Sequence, residues 1–390
     1  MTRHAVGLLG IALLTSGCGS DISATTDTTD AGELVDSGGA DEGGGAWGAD
    51  AGVEASESAS GDGAVEADAV ACGDLKTDQK NCGWCGHDCQ GATCTAGLCA
   101  VTEIATDQLF PQMVAVNSTT VYFTATTHGL LYCPKDGCKT DPSTLHPGIH
   151  PQRVMATDST VTWMAYSGQI LSCPAAGCPS SPKVEVDGLN QGASFAMDAD
   201  NFYWVALDGT LGVCPRSGCA PGGTTLLSGL TEPLGVAVDK GVLYVADRKG
   251  LQIVSCATAG CNSTPTVLAN KQSGPLDITV KDGVVYWTNQ TAGTLMSCAA
   301  AGCGNKPTMV GKAMPGASAI VMDGDHAYIT GYYALAVYRC PLAVGTCLKV
   351  ASKLSSAPLG MAGDDKFLYW ANTGTDASYH ADGAILRVAK

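Results

Sequence analysis

Between residues 101 and 390, apolar and polar positions alternate in short runs broken by Gly, Pro, Asp and Asn. In "PLGVAVDKGVLYVAD" from Pro233, "PLDITVKDGVVYWTN" from Pro275 and "PLGMAGDDKFLYWAN" from Pro358, an alternating run follows a proline, turns at polar residues and meets an aromatic run. Period-two alternation rich in β-branched and aromatic residues predicts half-buried strands joined as hairpins. A third run of the "GTLMSC" type and a short fourth such as "TVLAN" complete each unit, so every unit predicts four strands. The second strands centre on Tyr122, Trp163, Tyr203, Tyr244, Tyr286, Tyr328 and Tyr369, which counts seven units. We therefore expect an all-β chain whose residues 101–390 form a seven-bladed β-propeller of four-stranded blades. The last unit stops at "GAILRVAK", inside or just after its third strand, whereas "VTEIATD" (101–107) precedes the first unit and reads as a fourth strand. That N-terminal strand is expected to close the ring and remove the open sheet edge.

A second periodicity runs through the same units. Cysteine pairs fall at Cys133/Cys138, Cys173/Cys178, Cys214/Cys219, Cys256/Cys261, Cys298/Cys303 and Cys340/Cys347, and successive first cysteines are 40, 41, 42, 42 and 42 residues apart. This is the length of a propeller blade. The first cysteine of each pair is expected at the end of strand three and the second at the start of strand four, where two thiols across a tight turn can reach disulfide separation. Four or six intervening residues do not match a Cys-x-x-Cys redox motif, and no unit adds the further ligands that a zinc site needs. Each pair is read as a disulfide clasp, which requires an exported chain.

The N-terminus carries the marks of export. "MTRH" is a short basic start, "AVGLLGIALL" an apolar run too short to span a bilayer, and "TSGC" ends at Cys18. Residues 1–18 resemble a bacterial lipoprotein signal ending in a lipobox, which implies lipidation at Cys18 and a membrane partner through that lipid. Of 19 cysteines, Cys18 is the odd one, leaving 18 that can all pair. Residues 19–70 hold 13 acidic residues, no Lys, Arg or Pro, and one aromatic, Trp47, a composition that predicts a disordered acidic linker. Cys72, Cys82, Cys85, Cys89, Cys94 and Cys99 then crowd a segment, 71–100, too short to build a core. It reads as a disulfide-rich module whose 15 possible pairings stay open. Zinc held by Cys82, Cys85, His87 and Cys89 is the alternative; pairing of all six thiols is the simpler account, and no metal or cofactor is expected. "NCGWCGHDC" resembles the NCGxCGxxC motif of delta-proteobacterial surface lipoproteins, which often stands ahead of propeller repeats. The resemblance implies an outer-membrane or cell-surface location.

The formal charge of −16 changes little, because −13 of it sits in residues 19–70 and the remainder is near −3. A near-neutral body without a basic aromatic surface argues against nucleic acid as a partner. "VVYWTN", "FLYWAN" and "VLYVAD" resemble the YWTD repeats of low-density-lipoprotein-receptor propellers, and "PLGVAVD" resembles NHL repeats and streptogramin-lyase-like propellers. YWTD propellers have six blades, and seven are counted here. Blades serve binders and enzymes alike.

Departures from the repeat mark the candidate site. The loops from strand two to three and the connections between blades emerge on one face. Blade seven has the longer loop "NTGTDASYHADG" with Tyr379, His380 and Asp382; blade one has His128 there, with His146 and His150 in the next connection. Blade six adds Tyr332 and Tyr333, and blade four adds Arg248. Aromatic and polar residues on rigid loops suit a protein, peptide or glycan ligand, so a non-enzymatic binding or scaffold module is expected. The alternative is an exported lyase or hydrolase using His380 or His128 as general base, as the streptogramin-lyase resemblance implies. Asp158, Asp198, Asp239, Asp282, Asp323 and Asp364 recur in the turn on the opposite face, where they are expected to cap their own backbone.

Overall fold

The computed structural model describes residues 72–390 apart from residues 127, 149–150, 179–180, 262–263 and 376–380. The expected signal segment, Cys18 and the acidic linker lie outside the described residues, as do Tyr379, His380 and His150. Seven four-stranded antiparallel sheets form a β-propeller, and no helix occurs among the described residues. Blade one comprises Pro111–Val116, Thr120–Ala125, Gly129–Pro134 and Ser143–His146 from the axis outwards; blade five repeats the pattern as Pro275–Lys281, Val284–Asn289, Thr294–Ala299 and Thr308–Gly311. Blade seven is built from Pro358–Gly363, Phe367–Asn372, Gly383–Ala389 and, as its outer strand, Thr102–Gln108. The N-terminal strand closes the ring as its alternation suggested.

The aromatic second strands are buried on both faces because each sheet is sandwiched between its neighbours. Trp163, Trp287 and Trp370 are wholly enclosed. The inner strands approach one another closely around the axis: a Cβ on Gly235 would lie 2.6 Å from the Leu276 carbonyl oxygen, and one on Gly360 would lie 2.5 Å from that of Gln112. Buried threonines stitch this layer. Thr288 Oγ1 accepts from Asp277 N (3.2 Å) in its own blade and donates to Ser318 O (2.7 Å) in the next. Thr330 repeats the bridge between Ala319 N (2.9 Å) and Leu359 O (2.8 Å).

The closing seam joins blades seven and one. Cys138 N donates to Ile104 O (2.8 Å), Thr106 N to Lys139 O (2.9 Å) and Arg387 Nη1 to Lys135 O (2.6 Å). Lys135 Nζ meets Asp364 Oδ2 at 2.6 Å, and Tyr369 Oη donates to the same carboxylate at 3.0 Å. Burial pushes the Asp364 carboxyl up, but Lys135 and the amides of Lys366 and Phe367 outweigh it and hold the group below the usual carboxylate range. Burial and the adjacent Asp364 raise the Tyr369 phenol. Asp364 and Asp198 cap their own turns, the latter accepting from Asp200 N and Asn201 N. Asp158 departs from that expectation: it accepts from Ser118 N of the neighbouring blade (2.8 Å), since the turns of adjacent blades lie side by side.

Blades one to six each carry the expected disulfide: Cys133–Cys138, Cys173–Cys178, Cys214–Cys219, Cys256–Cys261, Cys298–Cys303 and Cys340–Cys347. The first cysteines lie in strand three as expected, but the placement of the second ones needs correction. Cys138, Cys178, Cys219, Cys261 and Cys303 do not begin strand four; each stands in the turn, before the outer strands that start at Ser143, Lys183, Thr224, Thr266 and Thr308. Cys347 also lies outside its strand, directly before Leu348–Ser352. The reason is a tight turn straight after strand three. Gly302 N donates to Ala299 O (2.8 Å) with Gly302 at φ +111°, and the same bond recurs from Gly137 to Pro134, Gly177 to Pro174, Gly218 to Pro215 and Gly260 to Ala257. That turn already brings the two Cα atoms of each five-residue clasp to 5.0–5.5 Å, so the sulfurs meet before the chain reaches the next ladder.

Before the propeller, Cys72–Cys85, Cys82–Cys94 and Cys89–Cys99 hold a module whose regular structure is two short strands, Cys94–Thr95 and Leu98–Cys99. Its Cys82, Cys89, Cys94 and Cys99 share one apolar cluster with Val337, Val350, Leu368 and Val388 of blades six and seven. His87, 2% exposed, sits in that contact with Nδ1 against Cys82 O and Nε2 3.3 Å from Ala389 O. Its ring stacks on Trp84 (3.7 Å), and the Arg339 guanidinium lies 4.6 Å from the Trp84 ring centre. The zinc set Cys82, Cys85, His87 and Cys89 is not assembled. Cys82, Cys89 and Cys99 do cluster, but as disulfide sulfurs, whereas a metal ligand is a thiolate.

Candidate functional site

The second strand of each blade ends at the face where blade connections and the strand-two to strand-three loops emerge. In blades four, five and seven it ends in Asp247, Asn289 and Asn372, all buried. Each ties down the connection beside it. Asp247 accepts from Thr231 N (3.1 Å), Glu232 N (2.8 Å) and Gly250 N (3.3 Å). Asn289 Nδ2 and Trp287 Nε1 both donate to Gln272 Oε1, at 3.1 and 3.0 Å. Asn372 faces the Ser355 and Ser356 hydroxyls and Ser356 backbone. These side chains were missed as a group because "VAD", "WTN" and "WAN" read simply as strand ends, although recurrence of Asp or Asn there was a visible signal. Their work is to make the face rigid.

The variable residues sit on this frame. Arg248 Nη2 donates to the buried Gln290 Oε1 (3.1 Å), and Glu232 lies 3.8 Å from Arg248 and 3.1 Å from Lys249. Arg248 is thus partly engaged rather than free. Tyr332 and Tyr333 meet edge to face at 5.2 Å; Tyr332 is half-buried and Tyr333 is 53% exposed, and burial raises the Tyr332 phenol. Gly316, φ +74°, lets the connection pass beneath them, since a Cβ there would lie 2.6 Å from Tyr333 N. Exposed Asp382 accepts from the Thr375 amide through both oxygens (3.1 Å each) and from the Thr375 hydroxyl, closing the base of the blade-seven loop. His128 is exposed beside Gly129. His146 differs from expectation: it is the last residue of the outer strand of blade one, half-buried with its ring 5.6 Å from that of Trp163, and desolvation lowers its pKa. An imidazole–carboxylate contact among the described residues occurs at His326–Asp325, in a turn on the opposite face.

Beneath the face, the inner strands line a half-open cavity of about 260 Å³ on the propeller axis. Its walls come from blades one, two, five, six and seven. Arg153 Nη1 of blade two and Asp277 Oδ1 of blade five face each other at 3.4 Å within it. Both stand third in an inner strand, Pro151–Ala156 and Pro275–Lys281, near the end where the chain enters from the loop face. The corresponding positions in blades one, six and seven are Met113, Ala319 and Gly360. No pattern along the chain pairs residues 124 apart, and this ion pair was absent from the expected site.

No protein-family model matches the chain, and no curated protein does. Solved structures do resemble it. A catalytically inactive virginiamycin B lyase from Staphylococcus aureus with quinupristin superposes with a TM-score of 0.59 at 14% identity, covering 75% of this chain and 99% of that one. A streptogramin B lyase gives 0.59 at 11% identity, with 75% and 98% covered. YCF48 bound to a D1 peptide gives 0.55 at 10%, with 75% and 94% covered. At these identities the likeness is one of fold.

Proposed function

We propose that the chain is an exported, lipid-anchored propeller that acts at the bacterial envelope as a non-enzymatic binding or scaffold module for a protein, peptide or glycan. The observation that carries this reading is how the loop face is built. Its buried polar groups, Asp247, Asn289, Asn372 and Gln272, are used to immobilise the blade connections, while the aromatic pair Tyr332/Tyr333 and the Arg248–Glu232 group are presented on top. Rigid aromatic and charged groups give contact area at low ordering cost. A peptide-bound propeller, YCF48, is among the resembling folds, and so are lyases. Export is supported by the cysteines: nine disulfides engage 18 of the 19, leaving Cys18 for the lipid. The membrane contact is then the acyl chains on Cys18, with residues 19–70 as tether to the outer membrane or cell surface.

A glycan and peptide array probed with the full-length protein tests the reading, with Tyr333→Ala and Arg248→Ala alongside. Binding that weakens roughly tenfold or more in Tyr333→Ala is expected, the loss typical of an aromatic anchor. Covalent turnover of any captured ligand, abolished by His380→Ala or His128→Ala, would replace this reading with the lyase or hydrolase one.

A further inference from the structure

We infer that the axial cavity is a binding site for a small zwitterion of the amino-acid type, with Arg153 taking the carboxylate and Asp277 the ammonium group. This inference stands independently of the loop-face reading, because it uses different residues. In this ring of inner-strand positions one cation and one anion face each other, while Met113, Ala319 and Gly360 supply apolar or minimal neighbours. The two poles are held unequally. Asp277 is fixed: Oδ2 accepts from Ile320 N of the next blade (2.9 Å), Oδ1 accepts from Ile278 N (3.1 Å), and its side chain is 14% exposed. Arg153 is loose: its side chain is 34% exposed, and among the described residues its guanidinium makes one contact, the 3.4 Å bond to Asp277. A guanidinium has five N–H donors in a fork that fits a carboxylate with two parallel bonds, so most of its capacity is unused.

The charge pattern selects the ligand class. A simple anion drawn to Arg153 meets Asp277 a few ångströms away, and a simple cation drawn to Asp277 meets Arg153. A molecule with both charges a few bonds apart satisfies each pole and replaces the long Arg153–Asp277 contact by two charge-assisted ones. At about 260 Å³ the cavity is slightly smaller than typical ligand sites, which suits a small molecule rather than a polymer segment. Met113, Met155 and Met361 on its wall give adaptable apolar contacts for a side chain.

Calorimetric titration of the full-length protein with glycine, L-alanine, L-leucine and L-phenylalanine tests this, with acetate and methylammonium as single-charge controls. At least one amino acid is expected to bind roughly tenfold or more tightly than either control. Arg153→Gln and Asp277→Asn are each expected to lose that advantage. Arg153→Lys keeps an ion pair with Asp277 and thus the melting temperature, yet lacks the planar fork and is expected to weaken binding too. The proposal is overturned if no amino acid binds the wild type up to about 10 mM, a dissociation constant too weak for a specific site. It is equally overturned if acetate binds as tightly as glycine, or if Arg153→Lys and Asp277→Asn, folded as judged by melting, bind amino acids as the wild type does. Failure here leaves Tyr333-dependent capture on the array untouched, and the reverse holds as well.

Discussion

The cysteine-rich module and the propeller both carry disulfides, but the bonds do different work. In residues 72–99 the three bonds link positions 10 to 13 residues apart, and the backbone ladder is a single pair of two-residue strands. In the blades each bond from one to five spans five residues at the end of a hairpin that four hydrogen-bonded strands and a double-sided aromatic core already hold. A crosslink matters most where nothing else restricts the chain. By loop entropy alone a module bond is worth about 3 kcal/mol and a blade clasp about 2 kcal/mol. The larger gap comes from context, because a blade clasp lies beside four hydrogen-bonded strands, whereas the module has one pair of two-residue strands to hold it.

The strongest way to break the comparison is to remove one bond from each region. Cys82→Ser/Cys94→Ser is expected to unfold the module, exposing residues 72–99 to proteolysis and rapid amide exchange, at a cost of about 2–5 kcal/mol. If that segment stays protected, docking on blades six and seven rather than the disulfides holds it.

An intermediate effect is expected at the joint between the two regions. Burial lowers the His87 pKa below the ordinary 6.5, against two backbone contacts that raise it. A histidine depressed in the folded state takes up its proton more readily when unfolded. Its stabilising share is therefore complete above pH 6.5 and is lost as pH falls below that value towards the depressed folded pKa, with a slope no steeper than about 1.4 kcal/mol per pH unit. Melting followed from about pH 8 to 5 is expected to show this decline, reduced in His87→Gln; the remainder comes from His146, depressed by the same cause. An unchanged profile in His87→Gln would mean that His87 protonation does not cause the decline.

The smallest effect is expected from Cys298→Ser/Cys303→Ser. Blade five keeps its ladder and the Trp287–Gln272–Asn289 network, so stability is expected to fall by about 2 kcal/mol or less, read by melting, without local unfolding of Val284–Asn289. Exposure of that strand on loss of the clasp would put the blades in the same class as the module.

Much of the fold was legible because a blade is a local object. "VVYWTN" after "PLDITV" specifies a hairpin within 15 residues, and repetition at 40 to 42 residues multiplies it into a ring. The clasps were legible as pairs but not as positions. Spacing joined Cys173 to Cys178 or Cys256 to Cys261, whereas the glycine turn that keeps Cys178, Cys219, Cys261 and Cys303 out of strand four became visible only with the backbone. The candidate site was legible only in part. Tyr332, Tyr333 and Arg248 were marked by departing from the repeat, whereas Asp247, Asn289 and Asn372 blended into it, and His146 looked like a loop residue although it ends a strand.

By itself, then, the sequence determined the four-stranded unit, the number of units, the closing role of residues 102–108 and which cysteines pair in blades one to six, because alternation and short spacing act over a few residues. The tertiary structure alone decided which three pairings hold residues 72–99, that His87 reaches Ala389, and that Arg153 confronts Asp277. The pairing within residues 72–99 follows from how that short segment folds, whereas the last two contacts join residues brought together by docking the module and closing the ring. Distance along the chain carries no record of such a meeting until the whole circle has formed.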